Sequence, residues 1–213
     1  MIIALHGQKN NGKDTAGEIL IELGNSEGIR FKRVAFADLM KKLAANSLGI
    51  YDGEIDFINF VKDEVILLQG NNKPSIGHIQ PLSIREYLIN FSQTMKSQFG
   101  DDFWAHLAFS NIAPWPDIVV TDLRFEAEAE YLRDLGAYVV HIYREEDQED
   151  GDLPGEKKLP EAYIDYHLPN TGTLEELKSN TKELLKNILY DEQYESESTE
   201  PEAYERKERW DEE

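Results

Sequence analysis

The sequence predicts an α/β fold in three layers, with a parallel sheet covered by helices on both faces. Three observations predict it. Apolar runs of strand length alternate with amphipathic runs of helical period along most of the 213 residues. No hairpin signal joins successive strands, so the connections run through helices and the strands lie parallel. The first apolar run, Ile2-Ile3-Ala4-Leu5, feeds a glycine-bounded loop and then a helix, with Gly7, Gly12 and Lys13 at the Gly-x4-Gly-Lys spacing.

That spacing suits anion capture. Gly7 and Gly12 let the backbone turn with no Cβ in the way, so successive N–H groups point into one concavity. The following helix adds the partial positive charge of its N-terminus, and Lys13 brings a point charge for outer phosphates. Asp14 stands where a hydroxyl is usual, with Thr15 next. Both offer hard oxygen donors, suited to Mg²⁺ or to a water bound to it. A plain surface turn holding two glycines and a lysine is the alternative, and the strand before and helix after weigh against it.

The first helix is expected over residues 15–23, with Ala16, Ile19, Leu20 and Leu23 on one face and Gly24-Asn25-Ser26 ending it. Residues 31–36 read as a second strand, and a helix opens at Asp38, a candidate cap, and runs towards Leu48. Residues 54–68 have helical period, and 69–81, with two glycines and two prolines, read as a loop. Ser83 and Glu86 form a capping box for a helix carrying Tyr87, Leu88, Phe91, Met95 and Phe99. A short helix over 103–112 and a Pro114-Trp115-Pro116 hinge lead to a buried strand, 117–122, that ends in an acid. A helix over 125–135 and a strand over 138–143 follow. Residues 145–155 are an acidic, solvated excursion, and Pro169-Asn170-Thr171-Gly172 turns the chain into a last helix over 174–189.

Composition narrows the function. With no cysteine, neither disulfides nor thiolate metal sites are available, which fits an intracellular setting. No apolar run reaches the roughly 18 residues of a membrane span, and no signal peptide is expected before the first strand, so a soluble protein is expected. The net charge of −20 argues against a polyanion such as duplex DNA as partner. Residues 191–213 hold eleven acids against three bases, so −8 of that charge belongs to a stretch expected to be disordered. The acidic remainder makes any pocket-facing Lys or Arg more telling.

Ligands of an open parallel sheet sit beyond the carboxyl ends of its strands. Three such ends carry polar groups here: the Gly7 loop, Asp122-Leu123-Arg124, and Tyr143-Arg144. Asp122 can order a metal-bound water or a substrate group, and Arg124 offers a planar fork for a phosphate, with Glu128 one turn further on. The alternative is structural, with Asp122 capping the next helix and Arg124 paired with Glu128. Lys41 and Arg85, on the first turns of their helices, can bind a second phosphate, though each alone reads as a solvated charge. Trp104, beside Phe99 and Phe103, can stack on a base or serve as core. His6 reads as a satisfied strand-end histidine. The histidines do not fall at metal-ligand spacing, and no Ser-His-Asp arrangement is suggested.

Together these motifs resemble the bacteriophage deoxynucleoside monophosphate kinases, P-loop NTPase-fold enzymes related to adenylate kinase. The resemblance rests on Gly-x4-Gly-Lys-Asp-Thr, on Arg85 before a helix, on Asp-x-Arg-Phe-x-x-Glu from Asp122 to Glu128, and on Asn170-Thr171-Gly172-Thr173-Leu174-Glu175-Glu176-Leu177, in that order. It spans most of residues 1–190 and implies a kinase domain there. A helical monophosphate-binding insertion would occupy about 45–112 and a flexible lid-like segment about 144–168. It implies that Gly7, Asn10, Gly12, Lys13, Asp14 and Thr15 hold the ATP phosphates, with Asp14 and Thr15 at Mg²⁺. Lys41, Arg85, Trp104, Asp122, Arg124 and Glu128 would surround the deoxynucleoside monophosphate. It also implies ATP and Mg²⁺ use, a cytoplasmic location (the infected host cell for a phage protein), a role in deoxynucleotide metabolism and, in many members, a homodimer. Three departures stand out. Asn10 replaces an arginine that the family can carry, and Ile89, Ser92 and Gln93 stand where it usually has Gln and a Gly-Thr step. The lid segment is acidic, its cations being Arg144, Lys157 and Lys158.

The expected chemistry is transfer of the γ-phosphoryl group of ATP to the substrate phosphate, in which position and charge matter more than covalent help. Lys13 and Arg124 are the expected catalytic cations, and Arg144 is the expected lid cation that closes the site against water. Rival readings are a P-loop kinase for another phosphorylated small molecule, a kinase for modified bases in DNA, and a non-catalytic nucleotide-binding module.

Overall fold

The computed structural model describes residues 1–47, 65–66, 82–110, 112, 117–144 and 158–198. Strand β1 (Ile2–His6) leads through the loop into helix α1 (Lys13–Ser26), followed by β2 (Lys32–Val34) and α2 (Phe36–Ser47). Short strands β3 (Val65–Ile66) and β4 (Leu82–Ser83) precede α3 (Ile84–Phe99) and α4 (Phe103–Ser110). Then come β5 (Ile118–Leu123), α5 (Glu126–Asp134), β6 (Ala137–Tyr143), a 3₁₀ turn (Glu161–Tyr163), β7 (Tyr166–Pro169) and α6 (Leu174–Ser198).

Five strands form one parallel sheet in the order β2-β5-β1-β6-β7. The three layers follow from side-chain alternation along strands buried on both faces. Ile2 and Ala4 of β1 face a core completed by Phe36, Trp104, Phe109 and Leu132, from α2, α4 and α5. Ile3 and Leu5 face the opposite core, built with Ile19 and Leu20 of α1 and Leu184, Leu185 and Ile188 of α6. The three-layer α/β/α fold expected from the sequence is therefore the one observed. The chain leaves β1 towards β2 on one side and crosses from β5 to β6 on the other, so the carboxyl end of β1 is the switch point where a crevice opens.

Several elements differ from the sequence reading. Val65 and Ile66, placed in a helical run, instead pair antiparallel with Ser83 and Leu82. Edge strand β7 lies in the stretch read as lid, and α6 continues to Ser198 instead of ending near Leu189. Helix α2 starts at Phe36, two residues before the expected cap. The rest of the 54–68 run, the 69–81 loop, the Pro114–Pro116 hinge, the 145–155 excursion and the chain beyond Ser198 lie outside the described residues. Among the described residues, no helix is long and apolar enough to cross a membrane.

Candidate active site

The loop after β1 is shaped by residues that accept left-handed backbone. Asn10 takes φ 67° and Gly12 φ 91°. Asparagine tolerates that region because its short polar side chain bonds locally. At Gly12 a Cβ would lie 2.6 Å from Asn170 Nδ2, so the glycine is required by space as well as by conformation. Gly7 is equally closed in, since a Cβ there would meet the Ile142 carbonyl oxygen at 2.3 Å. The Lys13 ammonium donates to the carbonyls of Gly7 and Gln8, both at 2.7 Å, which holds the charge across the loop.

Two asparagines, neither assigned this role by sequence reasoning, brace the loop against the far side of the sheet. Buried Asn11 donates through Nδ2 to the Ile142 carbonyl at 3.1 Å, and Asn170 donates through its own Nδ2 to the Asn11 carbonyl at 2.9 Å. The Asn170 N–H is held in turn by the Tyr143 carbonyl. The partners lie 131 and 159 residues apart in sequence, so no local signal announces them.

At the end of β5 the acids serve the fold. The Asp122 carboxylate accepts the N–H groups of Phe36 at 2.9 Å and Ala37 at 2.8 Å, capping α2, where the sequence suggested Asp38 or a cap on the helix after Asp122 itself. Burial pushes the Asp122 carboxyl up, opposed by those two N–H groups and by the charge of Arg124. Glu128, expected near substrate, is buried: Oε2 accepts the N–H groups of Arg124 at 3.1 Å and Phe125 at 3.2 Å, and Oε1 accepts from Lys96 at 3.2 Å. Burial raises this carboxyl also, against the pull of Lys96. The Arg124–Glu128 ion pair considered from sequence is thus replaced by Lys96–Glu128. The Arg124 side chain is exposed, within electrostatic reach of both Asp122 and His6.

The remaining candidates are spread around this crevice. Asp14 is largely exposed and paired with Arg33 at 3.2 Å, and Arg33 also holds Asp38 at 2.8 Å. Thr15 is exposed on the first turn of α1. Arg144 is exposed just past the end of β6. Arg85 is exposed on the first turn of α3, behind the Ser83–Glu86 capping box, and half-buried Lys41 lies on α2. Trp104 is in the core, with its ring against Phe91 and Phe103 and its Nε1–H on Ser92 Oγ at 3.0 Å. The structure therefore brings the loop, Asp122, Arg124 and Arg144 to three neighbouring strand ends. Lys41 and Arg85 sit on flanking helices, and Trp104 lies beneath.

His6, beside the loop, is satisfied at both ring nitrogens. Nε2 accepts the Leu159 N–H at 3.2 Å, which places the proton on Nδ1, facing the Leu123 carbonyl at 3.2 Å. Burial lowers its pKa to about 4, helped by the nearby charges of His141, Lys13 and Arg124.

Fold and site together define a class: a three-layer α/β/α protein with a phosphate-type strand–loop–helix at the switch point of its sheet. A family model described as deoxynucleotide monophosphate kinase matches residues 54–181, more than half of the chain, and the chain belongs to that family. It is thereby a phosphotransferase of the nucleotide-kinase kind. A protein of Acanthamoeba polyphaga mimivirus named for deoxynucleotide monophosphate kinase activity is 27% identical over 186 residues, covering 84% of this chain and 93% of that protein. Among solved structures, dephospho-CoA kinase from Campylobacter jejuni is similar at 15% identity and a TM-score of 0.43, over 88% of this chain and 96% of its own.

Proposed function

We propose that this protein transfers the γ-phosphoryl group of ATP to the phosphate of a deoxynucleoside 5′-monophosphate. The observation that carries the reading is the placement of Lys13 and Arg124 at the ends of adjacent strands β1 and β5, in a chain of this family. One cation serves a polyphosphate in the loop, and the other serves a second phosphate across the crevice. The acceptor is already an oxyanion, so no general base is needed, and the chain's work is to hold two anions in line.

Asp14 and Thr15 fit a hard divalent cation: a carboxylate and a hydroxyl, adjacent and both exposed at the start of α1. A bound Mg²⁺ would supply neutralising charge to the phosphate oxygens. Lys13 draws the donor phosphates onto the loop amides, and Arg124 offers two parallel N–H groups to the acceptor phosphate. Arg144, at the entrance beside the loop, is the cation placed to approach once both substrates are bound.

The test is incubation with ATP and Mg²⁺ against each of the four common deoxynucleoside monophosphates, following ADP and the deoxynucleoside diphosphate. Formation of both products at equal rates with at least one base is expected. Tight ATP binding with no diphosphate from any base would overturn the reading in favour of a nucleotide-binding module.

A further inference from the structure

We propose that Lys96 is a positioning residue for the acceptor site, fastening the far end of α3 to the turn that presents Arg124. The inference rests on the reading of Arg124 and Arg85 as anchors for the acceptor phosphate. Glu128 divides its two oxygens between two tasks. Oε2 fixes the backbone of Arg124 and Phe125, and Oε1 receives the Lys96 ammonium, which also lies 3.4 Å over the Phe125 ring centroid. Both side chains are nearly withdrawn from water, at 11% exposure for Lys96 and 4% for Glu128.

A buried ion pair is a poor way to gain stability, because the desolvation of two charges offsets their attraction, and apolar residues of similar volume often do as well. What the pair supplies is direction. Lys96 comes eleven residues after Arg85, close to three full turns, so the two stand on one face of α3. Ser92, seven residues after Arg85, lies on the same stripe and accepts the Trp104 Nε1–H. The stripe that begins at Arg85 is thus pinned twice, to α4 by Ser92 and to the start of α5 by Lys96. Releasing the second pin lets α3 and the Arg124 turn shift independently. Misplacement by about 1 Å at a site of this kind can cost up to about 10²-fold.

The test compares Lys96→Met, Lys96→Arg and the double variant Lys96→Met/Glu128→Gln by steady-state kinetics and thermal melting. Glutamine keeps an oxygen for the Arg124 and Phe125 N–H groups while removing the buried charge that Met would leave unpaired. Lys96→Met is expected to raise KM for the monophosphate about tenfold with KM for ATP changed less than about twofold, and Lys96→Arg to recover most of the loss. Should Lys96→Met fail to fold, the double variant is expected to fold and to show the same selective rise. A folded variant with unchanged monophosphate KM, or with both KM values moved equally, overturns the proposal. Absence of turnover in the unaltered protein would instead remove the functional reading on which it stands.

Discussion

The two sides of the crevice are braced with different chemistry. Around the phosphate loop the long-range contacts are neutral amides, Asn11 to Ile142 and Asn170 to Asn11, with the Lys13 ammonium laid across loop carbonyls. At the end of β5 they are buried carboxylates, Asp122 on the N-terminus of α2 and Glu128 between Lys96 and the Arg124 turn. The contrast has an electrostatic reason. A carboxylate about 4 Å from a phosphate charge costs about 4 kcal/mol at an effective dielectric of about 20, and a polyphosphate multiplies the cost. Amides brace the loop without that penalty. Carboxylates are tolerable at β5 because N–H groups and Lys96 absorb their charge, leaving Arg124 to face the second anion.

The largest expected effect comes from removing the loop's cation. Lys13→Ala should lower kcat/KM by about 10³-fold or more while the melting transition persists, because the lost contacts are to half-exposed loop carbonyls. An active Lys13→Ala protein would break the assignment of the loop as the donor side.

His6 sits where the two sides meet, within reach of both Lys13 and Arg124. Its folded pKa of about 4 lies below the ordinary 6.5, so the unfolded chain binds the extra proton first. The stabilisation from keeping it neutral is therefore complete above pH 6.5 and is lost as pH falls towards 4, amounting to about 3 kcal/mol. Denaturant unfolding at stepped pH should show that slope, and His6→Gln should flatten it over the same window. An unchanged slope would mean that other groups carry the acid sensitivity.

A matched pair of variants sharpens the contrast itself. Asp122→Ala removes the cap of α2 and should cost about 1–2 kcal/mol, with weaker monophosphate binding and little change for ATP. Asn170→Ala removes one loop brace, should cost about 1 kcal/mol, and should weaken ATP instead. Calorimetric titration of each variant with both nucleotides reads the result. If both variants affect both ligands alike, the two sides are one cooperative unit.

This division also explains what could be read from sequence. The strand–loop–helix was legible because its evidence is local: the apolar run of Ile2–His6, the glycine spacing and the helical period lie within two dozen residues. The Ser83–Glu86 cap was legible for the same reason, its partners being three residues apart. Asp122 was visible as an acid at a strand end, but its target lies 86 residues upstream, so its role as the α2 cap could not be inferred. Glu128 presented the same difficulty, since Lys96 is 32 residues away on another helix. Strand β7 escaped because an edge strand of four residues ending in proline has neither the apolar run nor the alternation that marks a strand.

The smallest expected effect belongs to Arg33, which carries a charge contact from the loop to α2 by holding both Asp14 and Asp38. The Asp14 side chain is 75% exposed and Arg33 40%, so water and salt screen the contact and the two long side chains lose entropy in making it. Arg33→Gln should therefore cost less than about 1 kcal/mol by denaturant unfolding, and the difference should vanish in about 1 M salt. A loss above about 2 kcal/mol that persists in salt would show the two sides locked together through this guanidinium. The separation into an amide-braced side and a carboxylate-braced side would then fail at the point where they touch.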